Sequence, residues 1–260
     1  MTRDLAEHYN RTMRRDAIVP GLMREAGPCT VRYTQARGSV RFVLWHHFAA
    51  ADVERVVADE IALARARVQA LIWRVHAEDE PRELGAHLRS VGFSHDTTWQ
   101  HFAPPQRVID STRDHGCAFD IRELETAQQL EAYLGIWNDA WPDEPNERWV
   151  RDYQRLLDEG EAGIRFWAAF DGAQAVASAY LVHPPGIDFA MLCGGVTRRA
   201  WQRRGAYRAL LHVRAVAAQA AGAQTLCVDA RAPAAPVLQG LGFEPQVEVA
   251  FYELTFARGD

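Results

Sequence analysis

The chain has 260 residues, 48% of them hydrophobic and 24% charged, with a formal net charge of −5. That length can bury a full core as one large or two small domains, and the composition is that of a folded globular chain. The acidic balance argues against a protein that coats nucleic acid, and neither a secretion signal nor a membrane-spanning run is expected.

Residues 1 to about 35 open with a helix (Leu5 to Arg15), followed by breaks at Pro20-Gly21 and Gly27-Pro28. Val40 to Trp45 reads as a strand. Residues 49 to 67 read as a helix, with Val53, Val56, Val57, Ile61 and Leu63 near the helical period. Val68 to Val75 is the next strand, Pro81 to Gly92 a short helix, and Thr97 to Phe102 a strand. Pro104-Pro105 to His115-Gly116 is polar and proline-broken, which places a linker there.

Ala118 to Arg122 begins the second half as a strand. Thr126 is the expected N-cap of a helix over 128–140, and a second helix runs from Glu147 to Glu159. Ile164–Phe170 and Ala173–Val182 flank Asp171-Gly172, a favoured hairpin turn pair. Ile187 to Val196 is the next strand. A short loop dense in Arg and Gly then leads into a helix on which Tyr207, Leu210, Leu211, Val213, Ala217 and Ala218 recur, stopped by Gly222. Leu226 to Ala230 is a strand, and Pro236 to Phe243 a short helix ending in Gly-Phe.

Gln202 to Tyr207 thus precedes a helix N-terminus, where unpaired amides and the positive end of the helix dipole form an anion site. Gly205 lets the main chain approach a ligand, and Arg198, Arg199, Arg203, Arg204 and Arg208 add positive charge. This chemistry suits a diphosphate. Cys29, Cys117, Cys193 and Cys227 are scattered without a C-x-x-C, as expected of reduced thiols in a cytoplasmic protein. Cys193 reads as a small buried hydrophobe. His46-His47, His95 and His101 lack the partners a zinc site needs, so no metal is expected.

Val196-Thr197 followed by Gln202-Arg203-Arg204-Gly205-Ala206 resembles the acyl-CoA-binding motif of the GNAT N-acetyltransferases, Gln/Arg-x-x-Gly-x-Gly/Ala after a strand. Gln202 and Gly205 match it, whereas Tyr207 stands where Gly or Ala is usual. The element order over 117–257 is similar to the GNAT order throughout. Leu88 to Phe93 parallels Leu238 to Phe243 about 150 residues later, which points to duplication. The first copy has Trp45 to Val53 where the phosphate loop should be, with no glycine or arginine cluster, so no cofactor is expected there.

The resemblance implies an α/β (α+β) GNAT fold, a mixed central sheet flanked by helices, in duplicate. Residues 1–105 would form a degenerate GNAT-like domain, 106–116 a linker and 117–260 the acetyltransferase domain. It implies acetyl-CoA, or another short acyl-CoA, as co-substrate, and an amine acceptor on a small molecule or, as the weaker alternative, a protein. The cofactor residues would be Gly194, Gly195, Val196, Thr197, Gln202, Arg203, Arg204, Gly205, Ala206 and Tyr207. Main-chain groups of Leu192 to Val196 would pair with pantetheine, and the amides of Arg203 to Tyr207 would hold the diphosphate. Many family members protonate the leaving thiolate with a Tyr at the position held here by Leu238. Tyr252 or Tyr207 are the candidate substitutes, and Asp188 the candidate base, with Asp139, Glu144 and Glu147 as further options. Trp137 and Trp141, with Trp149, lie among Asp139, Asp143, Glu144 and Glu147, a set that suits a cationic or aromatic amine. No nucleic-acid or membrane partner is expected, and monomer and homodimer remain open. The competing reading is a catalytically degenerate acyl-CoA-binding sensor or interaction module.

Overall fold

A computed structural model describes residues 3–35, 40–113, 118–142, 146–160 and 162–256. The chain runs α1 (Arg3–Tyr9), a π-helical turn (Asn10–Asp16), β1 (Leu22–Ala26), β2 (Thr30–Gln35), β3 (Val40–His46), α2 (Val53–Arg65), β4 (Ala70–His76), α3 (Leu84–Ser90) and β5 (Ser94–Ala103). It continues through α4 (Pro105–Thr112), β6 (Asp120–Leu124), α5 (Glu131–Ala140), α6 (Asn146–Asp158), β7 (Ile164–Asp171), β8 (Gln174–Val182) and β9 (Phe189–Thr197). The last elements are α7 (Ala206–Ala220), β10 (Thr225–Ala230), α8 (Ala235–Gly240) and β11 (Glu244–Thr255). Among the described residues no helix is long and apolar enough to cross a membrane.

Two compact units share these elements. The first comprises residues 1–100, 229–235 and 245–260, and the second 101–228 and 236–244. In the first unit the strand order is β1-β2-β3-β4-β11-β5. β3 and β4 pair in parallel, and β11 pairs antiparallel with β4 from Val249–His76 to Thr255–Ala70. Helices α2 and α3 close its core on Val43, Leu71 and Trp73 with Leu84, Leu88 and Phe93. The buried face of α2 is Val53, Val56, Val57, Glu60 and Ala64. Glu60 turns inward to accept from Thr30 Oγ1 at 2.6 Å, while Leu63, expected on the core face, is exposed.

The second unit has the order β10-β9-β8-β7-β6. β6 to β9 form an antiparallel meander, and β10 joins β9 in parallel. Thr126 caps the turn into α5 by a reciprocal box with Gln129, as expected from its residue type. The helix α4 packs against α7, with Val108 and Ile109 buried and Thr112 Oγ1 2.9 Å from His212 Nδ1.

Two differences from the sequence reading concern boundaries. The stretch read as a linker is mostly α4, because Pro105 sits at the first helical position, where a missing N–H costs nothing, and apolar residues follow at helical spacing. The last strand, read as part of a 117–260 domain, contributes its Pro245–Thr255 portion to the first unit. The sequence breaks at Pro20-Gly21 and Gly27-Pro28 turn out to bracket the strand β1, whose hairpin with β2 is closed by Gly27 N–H to Thr30 O at 2.8 Å. The opening helix continues past Tyr9 as a π-helical turn.

Candidate active site

The site is built on β9. Ser178–Val196 and Tyr180–Cys193 are paired across β8 and β9, so Gly194 and Gly195 together oppose the single Ala179. This is a β-bulge, which bends the strand and re-aims its peptide groups. Gly194 sits at φ +56°, and a Cβ there would lie 2.6 Å from the Tyr180 ring and 3.0 Å from Trp137. Only glycine fits. A Cβ on Gly195 would meet the Tyr207 ring at 2.9 Å. The parallel register with β10 ends at Met191–Cys227, while β9 runs on to Thr197.

After β9 the chain makes a basic turn. Gln202 Nε2 donates to Thr197 O at 3.2 Å, tying the turn back to the strand end. Trp201 Nε1 donates to Asp171 Oδ2 at 2.8 Å, anchoring it to the β7–β8 hairpin. Arg203 has φ +62°, the single non-glycine residue in the left-handed region among the described residues, and Gly205 follows at φ +93°. Such a pairing of left-handed residues turns successive N–H groups toward one side, a concavity suited to anions. The first main-chain bond onto α7 runs from Ala209 N–H to Gly205 O at 3.0 Å. Among the described residues the amides of Arg203 to Tyr207 have no main-chain acceptor. A Cβ built on Gly205 meets nothing within 4 Å, so the space before these amides is open.

The arginines divide into two groups. Arg198 is held by Asp139 and by Ala175 O (3.0 Å), and Arg204 lies over the Phe119 ring at 5.2 Å and 3.5 Å from Asp171. Arg199 and Arg203 are exposed and form no ion pair among the described residues. The turn therefore offers five amides, two uncommitted guanidinium groups and a helix N-terminus.

Behind the bulge lies Arg214 of α7, 1% exposed. Its Nε donates to Leu210 O at 2.9 Å, and its Nη1 to Tyr180 O at 3.2 Å and Cys193 O at 3.3 Å. Burial lowers its pKa from the ordinary arginine value, against the opposing pull of the Tyr207, Tyr133 and Cys193 side chains. Aromatic rings wall the bulge from α5, α6 and β8. Tyr153 Oη donates to Tyr180 Oη at 2.8 Å, Trp137 Nε1 donates to Ser178 Oγ at 3.2 Å, and Trp137 meets Trp141 edge-on at 5.4 Å. Burial raises the phenol pKa of Tyr153, Tyr180 and Tyr207, so all three stay protonated near neutrality.

No protein-family model matches the sequence, and no curated protein does. Solved structures do. A functionally unknown conserved protein from Staphylococcus epidermidis superposes with a TM-score of 0.66 at 11% identity, covering 95% of this chain and 98% of that one. A GCN5-related N-acetyltransferase from Kribbella flavida gives 0.62 at 16% identity, covering 91% of each chain. A tandem GNAT protein from the clavulanic acid biosynthesis pathway gives 0.59 at 13% identity, covering 97% and 88%. The chain has the tandem GNAT fold.

Within that tandem fold, the first unit contains its own parallel pair, β3–β4, and its own following helix, α2. Their register ends at Val43–Trp73, while β3 runs on to His46 and β4 to His76. Arg14 from the π-helical turn fills the interval. Its Nε donates to Leu44 O at 2.7 Å and its Nη2 reaches Arg74 O at 3.5 Å, while both Nη atoms bind the Asp79 carboxylate at 2.6 and 2.9 Å. At the start of α2 stand Asp52 and Glu54, which would repel an anion where α7 offers Arg203 and Gly205. The two units therefore differ in the charge at these helix starts.

The structure gathers Gly194, Gly195, Val196, Thr197, Gln202, Arg203, Arg204, Gly205, Ala206 and Tyr207 along one strand end, turn and helix start. Val196 and Ala206 turn their side chains into the core, so their part would be played by backbone. Asp188 does not join them. It precedes β9, six residues or about 20 Å of extended strand from Gly194, and its carbonyl accepts from Gln224 and Thr225 N–H. Tyr252 lies in the core of the first unit, 5% exposed, its hydroxyl 3.2 Å from Arg89 Nη1 and its ring stacked on His95. Its hydroxyl is also packed against Gly85, where a Cβ would fall 2.4 Å from it. Leu238 is fully buried in α8. Asp139 is committed to Arg198, and exposed Glu147 lies 3.7 Å from Arg151. Asp143, Glu144 and Cys117 lie outside the described residues, as does the Trp149 side chain.

Sequence reading overlooked Arg214, Arg14 and the Tyr153–Tyr180 pair. Arg214 had a signal, since it continues the apolar stripe of Leu210 and Leu211 at helical spacing and so falls on the buried face of α7. Among the described residues no group of three or more His, Cys, Asp and Glu side chains could hold a metal.

Proposed function

We propose that this protein is an N-acetyltransferase that moves an acetyl group from acetyl-CoA, or another short acyl-CoA, to an amine of a small molecule. The observation that carries this reading is the turn at Arg203–Gly205, two left-handed residues that leave the amides of Arg203 to Tyr207 without main-chain acceptors at the head of α7. A diphosphate satisfies those amides and the charge of Arg199 and Arg203. The β9–β10 register runs only to Met191–Cys227, which supports pairing of the later part of β9 with the amides of the pantetheine arm. Acyl-CoA supplies the activated thioester; the chain supplies binding, orientation and a dry, positively charged wall.

An alkyl ammonium acceptor has a pKa near ~10.4, so making it nucleophilic costs about 4 kcal/mol near neutral pH. No carboxylate at the bulge is assigned as its base, and Asp188 and Asp139 are placed poorly for it. Proton loss to water along the entry path is the simplest route. The acceptor faces Trp137, Trp141 and Tyr180, rings that favour a flat or cationic amine. Cys29, Cys193 and Cys227 form no disulfide among the described residues, which fits a cytoplasmic protein. A second reading, an acyl-CoA sensor without turnover, is favoured by Leu238, which leaves α8 with no hydroxyl at that position.

Calorimetric titration of acetyl-CoA tests the proposal. Saturable binding of one equivalent is expected, since Arg14 already fills the β3–β4 interval of the first unit. Gly205→Glu should abolish it, because a carboxylate would face the diphosphate and a Cβ would be forced to φ +93°. Thiol release with a panel of primary amines then separates enzyme from sensor. A folded wild type that binds no acetyl-CoA refutes both readings.

A further inference from the structure

Arg214 is a buried cation that pairs with no carboxylate among the described residues. It donates to three carbonyl oxygens, those of Leu210, Tyr180 and Cys193. The titratable side chains around it are Tyr207 on its own helix, Tyr133 on α5, and Cys193 and Tyr180 on the strands in front. Burial raises the phenols of Tyr133, Tyr180 and Tyr207, so none of these three rings supplies negative charge at neutral pH. Burying an ion without a counter-ion is costly, and leucine would suit the apolar stripe of α7. A guanidinium also cannot discard its proton to escape the penalty. Carbonyl partners reduce the cost but leave the charge in place.

That charge is directed at one spot. The two carbonyls held by Nη1 belong to the residue pair Tyr180–Cys193 that flanks the bulge. Binding the Cys193 carbonyl polarises the Cys193–Gly194 peptide and strengthens the Gly194 N–H as a donor. Nη2 lies 3.8 Å from the position a Cβ would take on Gly195, and Gly195 is exposed. The Tyr207 ring shares that face, 2.9 Å from the same position, so the charge reaches a molecule lying on the bulge chiefly through the Cys193–Gly194 peptide. Negative charge appearing there would be stabilised in a setting of low dielectric.

We propose that Arg214 is a positioning residue for thioester chemistry, whose charge acts through the Cys193–Gly194 peptide to stabilise the departing thiolate. The inference rests on the reading of this strand as the acyl-CoA site. The step balances without a further reagent. The amine lone pair forms the C–N bond to the thioester carbonyl carbon, and the C–S bond breaks with its electron pair passing to sulfur. The surplus ammonium proton leaves to water, and Arg214 keeps its own protons throughout. The role accounts for how a chain with Leu238 in α8 releases its thiol.

The test is the ionisation of the thiol of bound CoA. The full chain is saturated with CoA or with desulfo-CoA, and thiolate absorbance in the ultraviolet is followed against pH. The difference between the two complexes isolates the cofactor thiol from Cys193. The bound thiol is expected to ionise about one pH unit or more below CoA in free solution. Arg214→Met should remove that shift while CoA still binds, and Arg214→Lys should keep part of it. A purely structural clamp would leave the thiol unmoved. A wild-type thiol that titrates as it does in solution overturns the proposal without any variant, and so does an unchanged shift in a folded Arg214→Met protein. Failure of CoA to bind refutes the acyl-CoA reading itself, a distinguishable result.

Discussion

His46 makes the first unit sensitive to acid, and its environment sets the size of the effect. The ring is enclosed by Phe48 and Trp73, and its Nδ1 accepts from Trp73 Nε1 at 3.3 Å. Its Nε2 has no hydrogen-bond partner, with Asp79 Oδ2 3.9 Å away. Burial lowers its pKa from 6.5 to about 4, despite the opposing pull of Asp79. Below pH 6.5 the unfolded chain binds a proton at this residue and the folded chain does not, so stability falls as pH drops. The loss begins near pH 6.5 and is complete near pH 4, where the folded state also protonates. A shift of that size corresponds to about 3 kcal/mol at ~1.4 kcal/mol per pH unit.

Desolvation by burial drives His76 in the same direction, so it adds to the loss. Asp79 acts in a lower window. Burial raises its pKa, but the charge and hydrogen bonds of Arg14 outweigh this and leave it below the ordinary carboxylate value. Its contribution is present above the unfolded carboxylate pKa and is lost only as pH falls below it. The decisive substitution is His46→Gln, which retains an acceptor for Trp73 but does not titrate. Urea unfolding from neutral pH to pH 4, with hydrogen exchange of the β3 and β4 amides, should show the variant losing about 3 kcal/mol less than wild type. Parallel pH profiles for the two proteins would refute the assignment of the acid sensitivity to His46.

Two further outcomes follow from the second unit. Gly194→Ala would place a methyl 2.6 Å from the Tyr180 ring at φ +56°, and should destabilise by about 2–4 kcal/mol with loss of acetyl-CoA affinity, measured by thermal unfolding and calorimetry. An unchanged melting temperature would show that the bulge tolerates a side chain. Thr126→Ala removes the capping box with Gln129 and should cost about 1 kcal/mol, lowering Tm by roughly 2–4 °C while leaving acetyl-CoA affinity intact.

The sequence alone determined the elements whose signals are local. The 3.6-residue stripe of α7, the Asp171-Gly172 turn and the Thr126 cap each depend on residues within one or two turns of chain, and each appears where it was read. The Gln202–Gly205 turn was legible for the same reason: glycine tolerates a left-handed conformation and a helix must follow it. Tertiary structure decided what depends on partners distant in the chain. Only the register of β8 against β9 reveals that Gly194 and Gly195 form a bulge, and only burial turns Arg214 from a helix arginine into a buried charge held by carbonyl oxygens. The same holds for Arg14, whose carbonyl partners lie 30 and 60 residues away. Tyr252 was attached to the wrong unit because pairing between β11 and β4 spans most of the chain. Local propensity fixes where a helix or turn begins, whereas the free energy that selects a strand's neighbours comes from burial and hydrogen bonds between segments that sequence order keeps apart.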